Sequence, residues 1–397
     1  MPIPSRTVFC LGLAQLISWG ISYYLIGGFG EAMSADLGFS RGLIYGGFSV
    51  ALLVMGLSSP LVGSLIDRHG GRSVMIAGTL LNAIGCITLA LCRGPVLYFV
   101  AWIVLGLAMR LTLYEAAFAA LARLGGPQAR RAMSQITLPG GLASTVFWPL
   151  GHLIAEHAGW RGAVFAYAGF ALLTIPLHLA IPRGRYADGV AHDAGPQHVP
   201  LAQTPRARLL AGALYAVIAM LTNFLNAGMS SHMIAILTGL GVAATTSVWI
   251  GALRGIGQSA SRLSEILFGR RVPPLLLNLA ACSLLPFAFI AGLFSGTVGI
   301  AALAFAFVYG ATNGIVTITR GTLPLVLFDH RVYGSLVGRL LAPSFVVSAA
   351  APLIYASVID RFGEAGALYL SLAAAGIAFA AAAWLAVAFR PATSVTR

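Results

Sequence analysis

Twelve apolar runs, each about 20 residues or longer, follow one another along the chain, separated by short polar turns. They cover Thr7–Phe29, Gly42–Ile66, Ser73–Cys92, Val96–Ala122, Met133–His157, Gly162–Ile181, Leu209–Leu237, Thr245–Phe268, Pro273–Phe294, Val298–Phe328, Val332–Ile359 and Ala365–Phe389. A helix rising ~1.5 Å per residue needs about 20 residues to cross ~30 Å of hydrocarbon. The pattern therefore predicts an all-α membrane protein with twelve transmembrane helices. One connection is long: Pro182–Arg208 is rich in Pro, Gly, His and Asp and has no apolar period. Such a segment cannot bury a core. It reads as a linker between a six-helix bundle at 1–181 and a second at 209–397.

The halves repeat at a spacing of about 204 residues. Gly106 in Leu105-Gly106-Leu107-Ala108 aligns with Gly310 in Tyr309-Gly310-Ala311-Thr312, Pro139 with Pro343, and Pro149 with Pro352 one residue out of register. The repeat predicts two halves of the same six-helix layout.

Composition agrees with the pattern. The chain is 58% hydrophobic and 9% charged, against about 25% charged in soluble proteins. Its net charge is +13, and all 24 basic residues are Arg. A balance this basic raises the question of nucleic acid, but the arginines are scattered through short turns, the positive-inside pattern of a membrane protein. No nucleic-acid partner is expected. Fifteen arginines fall on the side of the termini and the linker. Four, Arg41, Arg93, Arg161 and Arg361, fall on the other. That asymmetry predicts cytoplasmic termini in a bacterial inner membrane. The first span has only Arg6 ahead of it and no small-residue cleavage site, so it is expected to be a retained helix. The four cysteines form no C-x-x-C, there is no Walker loop, and no nucleophile–base set occurs. An enzyme, a cofactor, a metal and direct use of ATP are not expected.

Between the second and third spans lies Gly63-Ser64-Leu65-Ile66-Asp67-Arg68-His69-Gly70-Gly71-Arg72. It resembles the loop G-x-L-x-D-R-x-G-[RG]-[RK] of the major facilitator superfamily, and the twelve-span, two-half layout extends the resemblance over the whole chain. The resemblance implies a monomeric secondary transporter working by alternating access. Within it, Asp67 is a gating residue that engages the start of helix 11, with Gly63, Arg68, Gly70 and Arg72 in the same latch. Gly63, Gly70 and Gly71 are expected to permit close helix approach and a tight turn. Ser18-Trp19-Gly20, the Arg130-Arg131-Ala132 entrance leading to Gly140-Gly141, and the mid-span Arg254 are similar to the monocarboxylate-porter-like branch. Two departures stand out. Trp102 occupies the superfamily's usual helix-4 Arg position, and the Gly-Pro pair of the helix-5 antiporter motif is missing, which weighs against drug/proton antiport.

Charges inside spans are costly, ~2.5–3.5 kcal/mol each on insertion scales, and therefore face a cavity or a partner. In the eighth span Arg254, Gln258, Ser261, Arg262 and Glu265 share one helical face. Arg254 falls near the midplane, while Arg262 and Glu265 lie nearer the membrane edge, three residues apart. They are expected to pair and to act in structure or gating. The tenth span carries Asn313, Thr317 and Arg320 on one face, and the fourth carries Arg110, Tyr114 and Glu115. The first offers Gln15, Trp19 and Tyr23, and the seventh Asn226. The resemblance makes spans 1, 4, 7 and 10 the walls of the central cavity. The expected substrate-binding residues are thus Arg254, Arg320, Arg110, Trp19, Tyr23, Gln15, Asn226, Asn313 and Gln258. Glu115, expected to lie deep and desolvated, is assigned the coupling proton. Three arginines against one carboxylate predict a small organic anion, a carboxylate held by the planar fork of Arg and moved in symport with a proton. Efflux of lipophilic cations, or a receptor on the same scaffold without flux, are the alternatives.

Overall fold

The computed structural model describes residues 3–125, 129–184, 200–268, 272–328 and 333–389, and every regular element among them is a helix. In chain order these are α1 (Ser5–Leu37), α2 (Arg41–Leu57 continued by Ser59–His69), α3 (Gly71–Leu91), α4 (Pro95–Gly125), α5 (129–158) and α6 (160–179). The second half holds α7 (Pro205–Gly239), α8 (Ala244–Phe268), α9 (Pro274–Leu293), α10 (Gly299–Leu327), α11 (333–362) and α12 (364–388). Gly159 (φ 66°) separates α5 from α6 and Gly363 (φ 69°) separates α11 from α12. The left-handed backbone of these turns suits a residue without a Cβ, and the two glycines stand 204 residues apart, the period of the sequence repeat.

Eight segments are long and apolar enough to span a bilayer. Two of them, Arg131–Leu179 and Pro343–Ala388, contain the glycine turns and so hold two passes each. The other two helices are α2, interrupted at Ser58, and α8, whose apolar run is diluted by Arg254, Arg262 and Glu265. The described helices thus follow one another in the order of the predicted runs. Their ends differ. Helix α1 runs on to Leu37, and α7 starts at Pro205 rather than Leu209. There the Thr204 side chain accepts from the Ala207 N–H at 3.1 Å, and proline fits the first turn, where its missing N–H costs nothing. Most of the linker, residues 185–199, lies outside the described residues. Its last part does not hang free: Leu201 and Ala202 donate their N–H groups to the carbonyls of Val326 and Leu327 at the end of α10 (3.1 and 3.0 Å).

The two bundles use the same internal joint. A Cβ on Gly106 of α4 would strike the backbone of Ala51 in α2, and one on Gly310 of α10 would strike the backbone of Arg254 in α8. Glycine at the repeat position therefore lets the fourth helix of each half lie directly on its second. Between the bundles, α5 packs on α8, α2 on α11 and α1 on α7. Thr145 Oγ1 donates to the Ala252 carbonyl at 2.7 Å, Gly46 lies near Leu353 and Gly56 near Phe345.

Call the face at which the described chain starts and ends the terminal face, and its opposite the far face. At the far face Arg41 bridges Glu31 of α1 (3.2 Å) and Asp360 of α11 (3.4 Å). Tyr45 donates to Glu31 at 3.1 Å and lies against His232 of α7, ring centroids 3.8 Å apart. The bundles are closed against each other there. At the terminal face Gly70 turns with φ 80°, and a Cβ on Gly71 would collide with Ala120. Both glycines thus serve the tight turn and close approach that the motif predicts. Gly63 does not: among the described residues nothing lies within 4 Å of a Cβ built there. Arg68 is exposed and Arg72 half-buried. The Asp67 side chain lies outside the described residues.

Candidate functional site

Helix α1 is not a regular α-helix at mid-span. Residues Trp19–Tyr23 form a π-helical turn, closed by the Tyr24 N–H donating to the Trp19 carbonyl at 3.1 Å. Five residues along an ordinary α-helix lie about 140° apart around the axis. The wider turn brings Trp19, Tyr23 and Tyr24 toward one side, with Trp19 centroids 4.8 Å from Tyr23 and 6.2 Å from Tyr24. Single π-turns of this kind gather at functional sites.

Facing this turn across the bundle interface is Arg254, 0% exposed. Its Nη2 donates to Asn226 Oδ1 at 2.6 Å. The same oxygen accepts from Asn313 Nδ2 at 3.0 Å, and Asn226 Nδ2 donates to the Tyr23 hydroxyl at 3.2 Å. One amide thus ties α1, α7, α8 and α10 together. The guanidinium carbon sits 5.4 Å from the Tyr24 ring and 5.2 Å from the Tyr309 ring, a cation–π arrangement on two sides. Among the described residues Arg254 Nε and Nη1 have no hydrogen-bond partner. Gly310 makes this geometry possible, because α10 reaches the Arg254 backbone only where no side chain intervenes.

Helix α4 breaks at Leu113, which is extended (ψ −171°). The break frees carbonyls, and Gln15 Nε2 donates to that of Thr112 at 2.8 Å. Gln15 is fully buried and its amide donor is committed to this backbone, so it braces the wall rather than offering that group to a ligand. The break also reorients Glu115 into the first turn of the following helix. Its side chain is 42% exposed, 3.7 Å from Arg110, which is 13% exposed. The expected deep, desolvated carboxylate is therefore replaced by an accessible, paired one.

Arg262, 1% exposed, does not pair with Glu265. It donates to the Thr137 carbonyl of α5 at 2.5 Å and to the Tyr114 hydroxyl at 3.4 Å, linking the two bundles. Glu265 instead lines a cleft of about 400 Å³ between α8, α9 and α10 with Ser264 and Leu277. The i, i+3 spacing allowed the ion pair, but the Thr137 carbonyl, which also accepts from the Tyr114 hydroxyl at 3.2 Å, offered Arg262 a partner of the facing bundle. Arg320 is half-buried with its Nε unpartnered, and no ion pair among the described residues joins it to Glu115. Gln258 is buried one turn beyond Arg254, with Oε1 unpartnered.

The structure thus brings together Trp19, Tyr23, Asn226, Arg254 and Asn313 around one point between the bundles. Sequence reasoning passed over Tyr309. Its signal was available: it stands four residues before Asn313, on the same helical face. Among the described residues, unpartnered donors outnumber unpartnered acceptors along this wall. Trp19 Nε1, Arg110 Nε, Arg254 Nε and Nη1, Arg262 Nε and Arg320 Nε stand against Gln15 Oε1 and Gln258 Oε1. Buried donors without partners cost about 1–3 kcal/mol each, and a ligand that supplies acceptors relieves them.

Two pseudo-symmetric six-helix bundles, joined face to face around polar residues at mid-span, define the architecture of a polytopic helical membrane protein. The chain belongs to the Major Facilitator Superfamily, whose family model matches residues 11–340. Among curated relatives it is 30% identical to monocarboxylate transporter 4 of Rattus norvegicus over 163 residues, 40% of this chain and 33% of that protein. It is 26% identical to the multidrug resistance protein MdtL of Shewanella oneidensis over 189 residues, 47% of each chain. The chain thus aligns with between a third and a half of these relatives' lengths. A solved structure of a mutant nucleoside transporter NupG superposes with a TM-score of 0.71 at 15% identity, covering 97% of this chain and 99% of that one. That likeness shows the fold.

Proposed function

We propose that this protein is a secondary transporter that moves a small organic anion, a carboxylate, together with a proton by alternating access. The observation that carries this reading is Arg254: a buried cation at the bundle interface, oriented by Asn226 and flanked by two tyrosine rings, with two of its three nitrogens unpartnered. An intramembrane cation so arranged calls for an anionic partner. The partial likeness to a monocarboxylate transporter supports the same class. Arg254 lies where both bundles contribute residues, so rocking one bundle on the other alters access to a bound ligand from either side. Glu115 is the acid we assign to the proton. It is accessible, and its pairing with Arg110 couples its charge to the cavity. Cytoplasmic termini in a bacterial inner membrane complete the reading, supported by the arginine asymmetry.

A second reading, transport of a lipophilic cation, draws on the aromatic wall, the exposed Glu115 carboxylate and the partial likeness to MdtL. The carboxylate is already engaged by Arg110, which favours the anion. Uptake of labelled carboxylates into proteoliposomes tests the choice. Arg254→Lys keeps the charge but loses the planar fork, and should weaken carboxylate binding at least tenfold. Glu115→Gln should leave exchange intact and remove the pH dependence of net uptake. Binding of a cationic dye that ignores Arg254→Ala and vanishes in Glu115→Gln would reverse the assignment.

A further inference from the structure

We infer that the carboxylate held at Arg254 is aromatic, with its ring lying flat on the indole of Trp19; the inference rests on the anion reading above. Trp19 differs from its neighbours. Tyr23, Tyr24 and Tyr309 are buried, while Trp19 retains accessible surface. Its three ring contacts are all tilted, at 59° to Tyr23, 43° to Tyr24 and 44° to Tyr114. No neighbour lies parallel to it. Offset-parallel stacking, a favoured arrangement of aromatic pairs, is left for a ligand to supply.

The dimensions fit one ring. Two steps, 5.4 Å from the Arg254 guanidinium to Tyr24 and 6.2 Å from Tyr24 to Trp19, bound the guanidinium–indole separation at about 12 Å. Within that limit, a carboxylate attached directly to a six-membered ring reaches both groups, with a charged N–H···O contact of about 2.8 Å and a ring stacked about 4.5–7 Å from the indole. A short aliphatic acid bound at Arg254 would leave the indole uncovered. A saturated ring of the same size would cover it but could not stack. The π-helical turn sets this arrangement by bringing Trp19 round beside Tyr23 and Tyr24.

The test uses the full-length protein purified in detergent, with binding of benzoate, cyclohexanecarboxylate and acetate measured by calorimetry. Benzoate should bind about tenfold more tightly than cyclohexanecarboxylate, with acetate weaker than both. Trp19→Leu should bring benzoate and cyclohexanecarboxylate within threefold of each other, and Trp19→Phe should keep most of the preference. If Trp19→Leu fails to fold, the wild-type ratio and the Trp19→Phe variant still decide. Equal binding of benzoate and cyclohexanecarboxylate, or a preference that survives Trp19→Leu, overturns the aromatic assignment while the anion reading stands. If no carboxylate binds, and Arg254→Ala behaves as wild type, the anion reading falls and takes this inference with it.

Discussion

Replacing Asn226 by Asp separates the two roles of the Arg254 hub. The side chain keeps its shape and still offers an acceptor to Arg254 Nη2 and Asn313 Nδ2, which it meets at 2.6 and 3.0 Å. The lost donor to Tyr23 is made good if the tyrosine hydroxyl donates instead. What changes is charge: a carboxylate now sits permanently on the guanidinium. At an effective dielectric of about 20, unit charges about 4 Å apart interact by ~4 kcal/mol. A ligand carboxylate then meets a neutralised cation. Losing only half of that attraction weakens binding roughly thirtyfold, at ~1.4 kcal/mol per tenfold. The folded protein itself should be as stable as wild type or more so. Asn226→Leu gives the opposite result for stability: Arg254 loses its hydrogen bond inside the membrane, Tyr23 and Asn313 lose theirs, and about 2–4 kcal/mol goes with them. Thermal unfolding followed with a thiol-reactive dye suits this chain, because Cys86, Cys92 and Cys282 are buried and free. Asn226→Asp should unfold at the wild-type temperature or above it and show no shift with benzoate. Undiminished benzoate binding by Asn226→Asp would refute the claim that Arg254 is the anion's anchor.

Four further substitutions have expected outcomes. Gly310→Ala drives a methyl group into the Arg254 backbone and should cost about 1–3 kcal/mol by overpacking, read as a lowered unfolding temperature. Gly376→Ala, with open space around it, should change nothing. Arg41→Ala removes both of that arginine's ion pairs at the far face, whose carboxylates are 48% and 51% exposed; such pairs contribute about 0–1 kcal/mol to folding, so stability should hold. The far face should nevertheless open more often, seen as faster labelling of Ser230→Cys by a membrane-impermeant thiol reagent. Asp67→Asn should cut transport at least tenfold with insertion unaffected, and wild-type flux in that variant removes Asp67 from gating.

The helices and the hub were legible because their signals are local. Apolar length marks a span, and a polar residue repeated at helical spacing marks a wall, so Arg254, Asn226 and Asn313 stood out. Gly106 and Gly310 were legible as a repeated pair, though not as the joints that seat α4 and α10. Glu115 was misread because α4 breaks at Leu113, where neither proline nor glycine announces it; an unbroken helix would have kept the carboxylate inward. The Arg262–Glu265 pair failed for the complementary reason. Spacing along one helix reveals which residues can meet, and nothing about a carbonyl that another bundle presents. The π-helical turn left no mark either, since an extra residue in a helix looks the same in sequence as a regular one.

That turn makes the chain sensitive to length at one place. Removing any single residue from Trp19–Tyr23 would let α1 relax to regular helix, with nothing locally to oppose it. The turn already holds one residue more than a regular helix, so everything beyond would stay in register and only the rings gathered at the turn would move. Glu31 would still meet Arg41, and Asp36 would still meet Arg161. A one-residue deletion in the middle of the membrane would thus be felt at the aromatic wall of the site, where Trp19, Tyr23 and Tyr24 would no longer gather on one side, while the far face stays closed.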